Sequence, residues 1–283
     1  MKDTTRYIQL PTILFIVTFF FSACTIFTPG ISKRPKDRIS LEAEKTISEL
    51  KNQNFKLKTF KGVGNIKFRG SEKKDIAGRM AWVASAPDRI RIAISSVSGQ
   101  PMISAASDGH WLYLISHSSG DFYKKPVTVS SMRRLFKISV KPEDMVDILA
   151  GRVPIHSYDS AVLTNMKTEI YSTEEPTFSK QNGSERSGQN GYVLVLKKKW
   201  GDIIEKIYLD EKKKNVLKVE MFDSSGSLAY RVIFDRIRAI NGYRIPYRLL
   251  VSNSDGSGFH LDVDRYWADA SVSKPVFVLK PPE

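Results

Sequence analysis

From Ile39 onward the chain changes its hydrophobic period once, and that change dictates the fold it predicts. Ile39, Ala43, Ile47 and Leu50 recur at helical spacing, so they share one stripe of a helix. Ser40 is placed to cap that helix. Glu42 and Glu44 suit its first turns, where the helix dipole favours negative charge. Beyond it the period falls to two. Gly64, Ile66 and Phe68 alternate with polar neighbours, as do Met80 and Trp82, then Ile90, Ile92 and Ile94. Period two marks strands with one buried face. Asp108-Gly109 is the dipeptide of a tight hairpin, and Leu112 and Leu114 continue one face beyond it. A helical interlude follows. Ser130 to Phe136 predicts a short helix, and Pro142 opens another whose apolar stripe is Met145, Ile148 and Leu149. Gly151 stops that helix and Pro154 prevents its restart.

Strands resume around Val162 to Tyr171. The polar, Gly- and Ser-rich run Glu174 to Gly191 reads as a mobile loop. Six further strands are predicted at Tyr192–Lys198, Ile203–Leu209, Val216–Phe222, Leu228–Arg236, Tyr243–Val251 and Phe259–Tyr266. Asp223-Ser224-Ser225-Gly226, Asn241-Gly242 and Asp255-Gly256 are turn signals between them. About eleven to twelve strands with short connections predict a mainly β fold with a few α-helices, built on a strongly curved antiparallel sheet.

A sheet with one apolar face must cover it. At most three helices are predicted for that task. The inward side chains read from alternation are Ile66, Phe68, Met80, Trp82, Ile90, Ile92, Ile94, Leu112 and Leu114, with Met145, Ile148 and Leu149 facing them. Either these fill the interior, or they line a cavity between sheet and helices. Periodicity leaves both open.

The start of the chain adds a location. Lys2 and Arg6 precede a twelve-residue, mainly apolar run from Leu10 to Phe21, then small Ser22 and Ala23, then Cys24. That order describes a secretion signal. Phe21-Ser22-Ala23-Cys24 resembles the lipobox of bacterial lipoproteins, although Phe21 departs from the usual Leu. The resemblance implies cleavage before Cys24 and lipidation of its thiol. Cys24 is the single cysteine of 283 residues, so no internal disulfide is available. An uncleaved membrane helix over Ile8 to Phe27 is the alternative, and Pro11 and the small-residue site argue against it. Thr25, in place of the Asp that retains lipoproteins in the inner membrane, leans toward the outer membrane. The expected organisation is a signal at 1–23, a tether at 24–40 and a single domain at 41–283. The net charge of +14 suggests an anionic neighbour such as a membrane surface, and export makes nucleic acid an unsuitable partner. Lys197-Lys198-Lys199 and Lys212-Lys213-Lys214 read as solvated strand ends and turns.

Arg89 to Tyr123, followed by Pro142 to Pro154, resembles the LolA/LolB lipoprotein-carrier superfamily, and its LolB branch most. The matching features are the Ile90–Ile94 strand, the loop Ser95-Ser96-Val97-Ser98-Gly99, the strand pair around Asp108-Gly109, and the helix with its Gly151-to-Pro154 ending. The tail Pro275-Val276-Phe277-Val278-Leu279-Lys280-Pro281 is also of that type. The resemblance implies an unclosed β-barrel with helices as a lid over a hydrophobic cavity. It implies that the cavity takes acyl chains of lipoproteins bound for the outer membrane, received from a periplasmic LolA-like carrier. Val97 would sit at the tip of a membrane-insertion loop. The domain would act as a monomer facing the periplasm.

Chemistry is not signalled. His110, His117, His156 and His260 are scattered without metal-ligand spacing. There is no Gly-x-Ser-x-Gly elbow, and Gly62 and Gly64 lack the helix a phosphate loop requires. Glu143 and Asp144 read as a helix start. No cofactor, metal or catalytic residue is expected. Two other functions fit the same pattern: an envelope protein that binds a protein partner, and a binder of lipids or glycolipids.

Overall fold

The computed structural model describes residues 35–70, 76–136, 138–166 and 191–282. The chain divides into two compact units, Met1–Asp37 and Arg38–Glu283. All of the architecture below belongs to the second unit except the first residues of the leading helix. That helix, α1, spans Pro35–Asn52. It starts before the predicted boundary, so Ser40 lies inside the helix rather than capping it. Proline is pre-organised for a helix's first turn, which accounts for the earlier start. Ala43, Ile47 and Leu50 are buried, as their spacing requires.

Thirteen strands then form one antiparallel, strongly curved sheet: β1 (Thr59–Arg69), β2 (Ile76–Ser85), β3 (Arg89–Ser95), β4 (Pro101–Ser107), β5 (Trp111–Ser116), β6 (Asp121–Pro126), β7 (Ser160–Met166), β8 (Gly191–Lys197), β9 (Ile203–Asp210), β10 (Val216–Phe222), β11 (Leu228–Ile240), β12 (Tyr243–Ser252) and β13 (Gly258–Ala268). The spatial order is β6-β5-β4-β3-β2-β1-β13-β12-β11-β10-β9-β8-β7. Strands β6 and β7 end that order without pairing to each other, so the sheet is not closed. Register shifts at Val63/Gly64, Ile94/Ser95, Leu196/Lys197, Val216/Lys218 and Met221/Phe222 are irregularities that add local twist. The strand beyond the expected number is β6. Its Asp121-Phe122-Tyr123-Lys124-Lys125-Pro126 sequence is almost wholly exposed, so it carries no alternation to read. Charge and proline on an edge strand discourage pairing with another chain. The predicted strand beyond Met166, and most of the predicted loop, lie outside the described residues.

Two short helices follow β6: α2 (Val129–Phe136), capped by the Thr128 hydroxyl, which accepts from the Ser131 amide at 3.1 Å, and α3 (Pro142–Leu149). Residues from α1, α3 and the sheet's inner face share one apolar core. The Asn54 side chain joins three elements at one end of it. Its amide nitrogen donates to the Ala150 and Arg244 carbonyls, each at 2.8 Å, and its oxygen accepts from the Arg244 amide at 3.0 Å. Gly151 fits in this knot at φ +69°, and a Cβ there would lie 2.4 Å from the Arg244 carbonyl oxygen. Only glycine combines that backbone angle with that closeness. The C-terminal tail covers the other face: Leu279 packs with Ala106, Tyr113 and Ile115, and the Val276 carbonyl accepts from Arg91 at 3.2 Å.

Candidate functional site

Strand direction decides which loops meet. Because every neighbouring pair is antiparallel, the connections β1–β2, β3–β4, β5–β6, β8–β9, β10–β11 and β12–β13 all leave the same rim of the sheet. A cavity of about 1180 Å³ opens there. Its sheet wall comes from Gly70 at the end of β1, from the ends of β10 and β11, and from the β12–β13 turn. Its other wall comes from α2, through Val129 and Arg133, and from the entry of α3 and the segment after it, through Lys141, Asp144 and His156. Met221, Phe222, Leu228 and Ala229 give it apolar surface, while Ser227, Asn253 and Ser257 give it hydroxyl and amide groups.

The residues chosen from alternation have a different place. Ile66, Met80, Trp82, Ile90, Ile92, Ile94, Leu112, Met145, Ile148 and Leu149 are all buried within the one core cluster, and Phe68 and Leu114 pack against its edge. None of them lines this cavity. Trp82 shows how the space is taken up. Its indole lies across Gly62, where a Cβ would come within 2.2 Å of the ring. Tyr266 meets the same ring at 6.4 Å and stacks on Phe60 at 5.6 Å. Alternation found the inward face. It could not show that this part of the face is filled by its own side chains.

The cavity wall also holds a polar cluster. Asp144, only 3% exposed, accepts from the Tyr230 hydroxyl at 3.0 Å, and its other oxygen lies 2.9 Å from His156 Nε2. Glu205, on β9, is fully buried. Burial pushes the Glu205 carboxyl well above its ordinary range; the His156 backbone amide opposes this and the Asp144 charge adds to it. Burial likewise raises the Tyr230 phenol, and the Asp144 carboxylate reinforces the shift. The wall can therefore offer the Asp144 carboxylate and the His156 imidazole beside apolar surface. Asp144 does more than open a helix. The sequence hid this because Asp144, His156, Glu205 and Tyr230 stand on four different segments. Among the described residues, no group of acidic, histidine or cysteine side chains could hold a metal ion.

The remaining candidates lie apart from the cavity wall. Val97 stands 79% exposed on the β3–β4 turn. His117 pairs with Ser104 at 2.9 Å on the surface. The His260 imidazole, on β13, is held below its ordinary range by burial, against the pull of Asp262. Cys24 lies outside the described residues. No helix among the described residues is long and apolar enough to cross a membrane. Sequence reasoning also passed over Trp200, which is 89% exposed on the β8–β9 turn. The available signal was an aromatic placed directly after three lysines.

With this geometry in view, comparison with known proteins places the fold. No family model matches the sequence, and no curated protein does. Solved structures do match. A LolA superfamily protein from Nitrosomonas europaea is 13% identical, with 84% of this chain and 97% of that chain covered at a TM-score of 0.52. An outer membrane lipoprotein-sorting protein domain from Vibrio parahaemolyticus is 14% identical, with 83% and 97% covered at 0.50. A DUF1329 family protein from Desulfovibrio piger is 12% identical, with 85% and 97% covered at 0.54. The class of the fold is the LolA-like open barrel.

Proposed function

We propose that this chain is an envelope lipoprotein, anchored in the outer membrane through Cys24, whose cavity takes acyl chains of lipoproteins on their way to that membrane. One observation carries the reading: the open barrel keeps about 1180 Å³ of unfilled space at one rim, walled by both apolar and ionisable side chains. That is at or above the usual size of a small-molecule pocket, roughly 300–1,000 Å³. An acyl chain cannot cross water unaided, and each methylene it buries contributes about 0.8 kcal/mol. Met221, Phe222, Leu228 and Ala229 would shelter methylenes, while Arg133 and Lys141 would stay near the polar head. No bond need be made or broken. A LolA-like periplasmic carrier would supply the cargo, and Val97, exposed at its turn, would aid insertion into the bilayer.

The test is mass spectrometry of ligand bound to protein purified from membranes without delipidating detergent. A lipoprotein acyl moiety, lost on filling the cavity with Ala229→Trp, supports the reading. Empty protein that also fails to take up a fluorescent fatty acid contradicts it. A second reading has its own support. The hydroxyl and amide groups of Ser227, Asn253 and Ser257 suit a polar headgroup, as a glycolipid or phospholipid binder would require. The same spectra separate the two by the mass of the ligand.

A further inference from the structure

The β8–β9 turn is built in a way the fold does not require. Two backbone bonds close it: the Gly201 amide donates to the Lys198 carbonyl at 2.8 Å, and the Lys198 amide to the Asp202 carbonyl at 2.9 Å. Gly201 takes φ +91°. The closed turn projects Trp200 into solvent with 89% of its surface exposed, the most of any large apolar residue among those described. Lys197, Lys198 and Lys199 precede it, against Asp202 as the acidic residue of the turn. Indole flanked by ammonium groups is the pairing found where protein meets a bilayer: the ring sits among headgroups and the lysines meet anionic lipid.

The turn is also fixed in relation to the cavity. Lys198 Nζ donates to the Ser157 hydroxyl at 2.9 Å, and the Lys199 amide to the Asp159 carboxylate at 2.8 Å. Ser157 directly follows His156, which lines the cavity. Along the rim, the cavity is walled by parts of the β1–β2, β12–β13 and β10–β11 connections. The next connection on one side carries Val97, and the next on the other carries Trp200. The mouth therefore lies between the two most exposed large apolar side chains described.

We infer that the Trp200 turn is an interfacial foot: it docks the cavity rim on an anionic phospholipid bilayer, with the indole in the headgroup layer and Lys197 to Lys199 against lipid phosphates. The inference rests on the proposed cavity function for its purpose, and on the turn alone for the contact. A rim held at the bilayer gives an acyl chain a short dry path between cavity and membrane.

The experiment uses the full chain in vesicles, with bromine-labelled phosphatidylglycerol or phosphatidylcholine as quencher of tryptophan emission. Trp82 is buried, and the partly exposed Trp111 and Trp267 are common to both proteins, so wild type minus Trp200→Ser isolates the turn's signal. We expect the Trp200 component to be quenched at least threefold more strongly in phosphatidylglycerol than in phosphatidylcholine. The paired Lys198→Glu and Lys199→Glu change should remove that preference. Equal quenching in wild type and Trp200→Ser overturns the inference, and so does a Trp200 component blind to lipid charge. An indole that stays in water on every vesicle would leave the turn to a protein partner and also overturns it. Uptake of a fluorescent fatty acid, measured on the same samples, reports the cavity separately. Quenching without uptake keeps the foot and removes the carrier reading; uptake without quenching does the reverse.

Discussion

Strands β2 to β4 and strands β10 to β12 belong to one sheet, yet what meets their inner faces differs. Under the first group, Met80, Trp82, Ile92 and Ala105 are buried in continuous packing with one another and with residues of α3. At the rim of the second group, Met221, Leu228 and Ala229 face a cavity of about 1180 Å³. The alternation is alike in both: β3 buries Ile90, Ile92 and Ile94, and β11 buries Tyr230, Val232 and Phe234. The difference arises from what stands opposite. Helix α3 puts Met145, Ile148 and Leu149 into the core, whereas its first turn presents Asp144 to the cavity, next to His156 and the Arg133 of α2. Both halves belong to the one core, in which Val219, Val232, Leu249 and Val251 are buried as Met80 and Ile92 are. Only the rim of the second half stays open.

The largest effect that could break this contrast is in the packed half. Trp82→Ala should cost about 3–5 kcal/mol, because the lost indole leaves a hole beside Gly62 that rigid strands cannot close. Urea denaturation measures it. A cost near zero would mean that this half is not close-packed. Next comes the knot at the end of α3. Gly151→Ala should destabilise by about 1–3 kcal/mol, since φ +69° is strained for alanine and the Arg244 carbonyl blocks the new Cβ. The same denaturation series reads it.

A smaller effect concerns pH. The Glu205 carboxyl is raised in the folded protein above its ordinary value of 4.5 by burial. Between those two values the folded chain holds a proton that the unfolded chain releases, so this residue makes stability fall as pH rises. Glu205→Gln should abolish that fall and make the variant the more stable protein on the alkaline side. Thermal melting across pH reads the sign, and a wild type that gains stability from this residue as pH rises would contradict it. The smallest change in stability belongs to the open half. Ala229→Trp should alter it by less than about 1 kcal/mol, because the ring enters space that is already empty. Fatty-acid uptake should nevertheless fall at least tenfold. A large loss of stability would show that the space is not there.

The inward faces of β2 and β3, the Asp108-Gly109 hairpin and the Pro142 helix were legible in the chain, because each depends on local period or on a turn dipeptide. Strand β6 was not, since an exposed edge strand has no buried face to alternate. The cavity was illegible for a different reason. Whether Ile92 or Met221 meets a neighbour or a void depends on where α2 and α3 dock, and docking brings together residues as distant as Asp144 and Tyr230. The exposure of Trp200 was hidden too, because three lysines before a turn read equally well as ordinary solubility.

The central claim is that ligand occupies the open half and not the packed one. Crystals grown with a bromine-terminated fatty acid test it directly, through the anomalous signal of the bromine. The account predicts bromine between Met221, Ala229 and Arg133. Bromine lodged against Trp82 and Ile92, or no ordered bromine at saturating ligand, would contradict it.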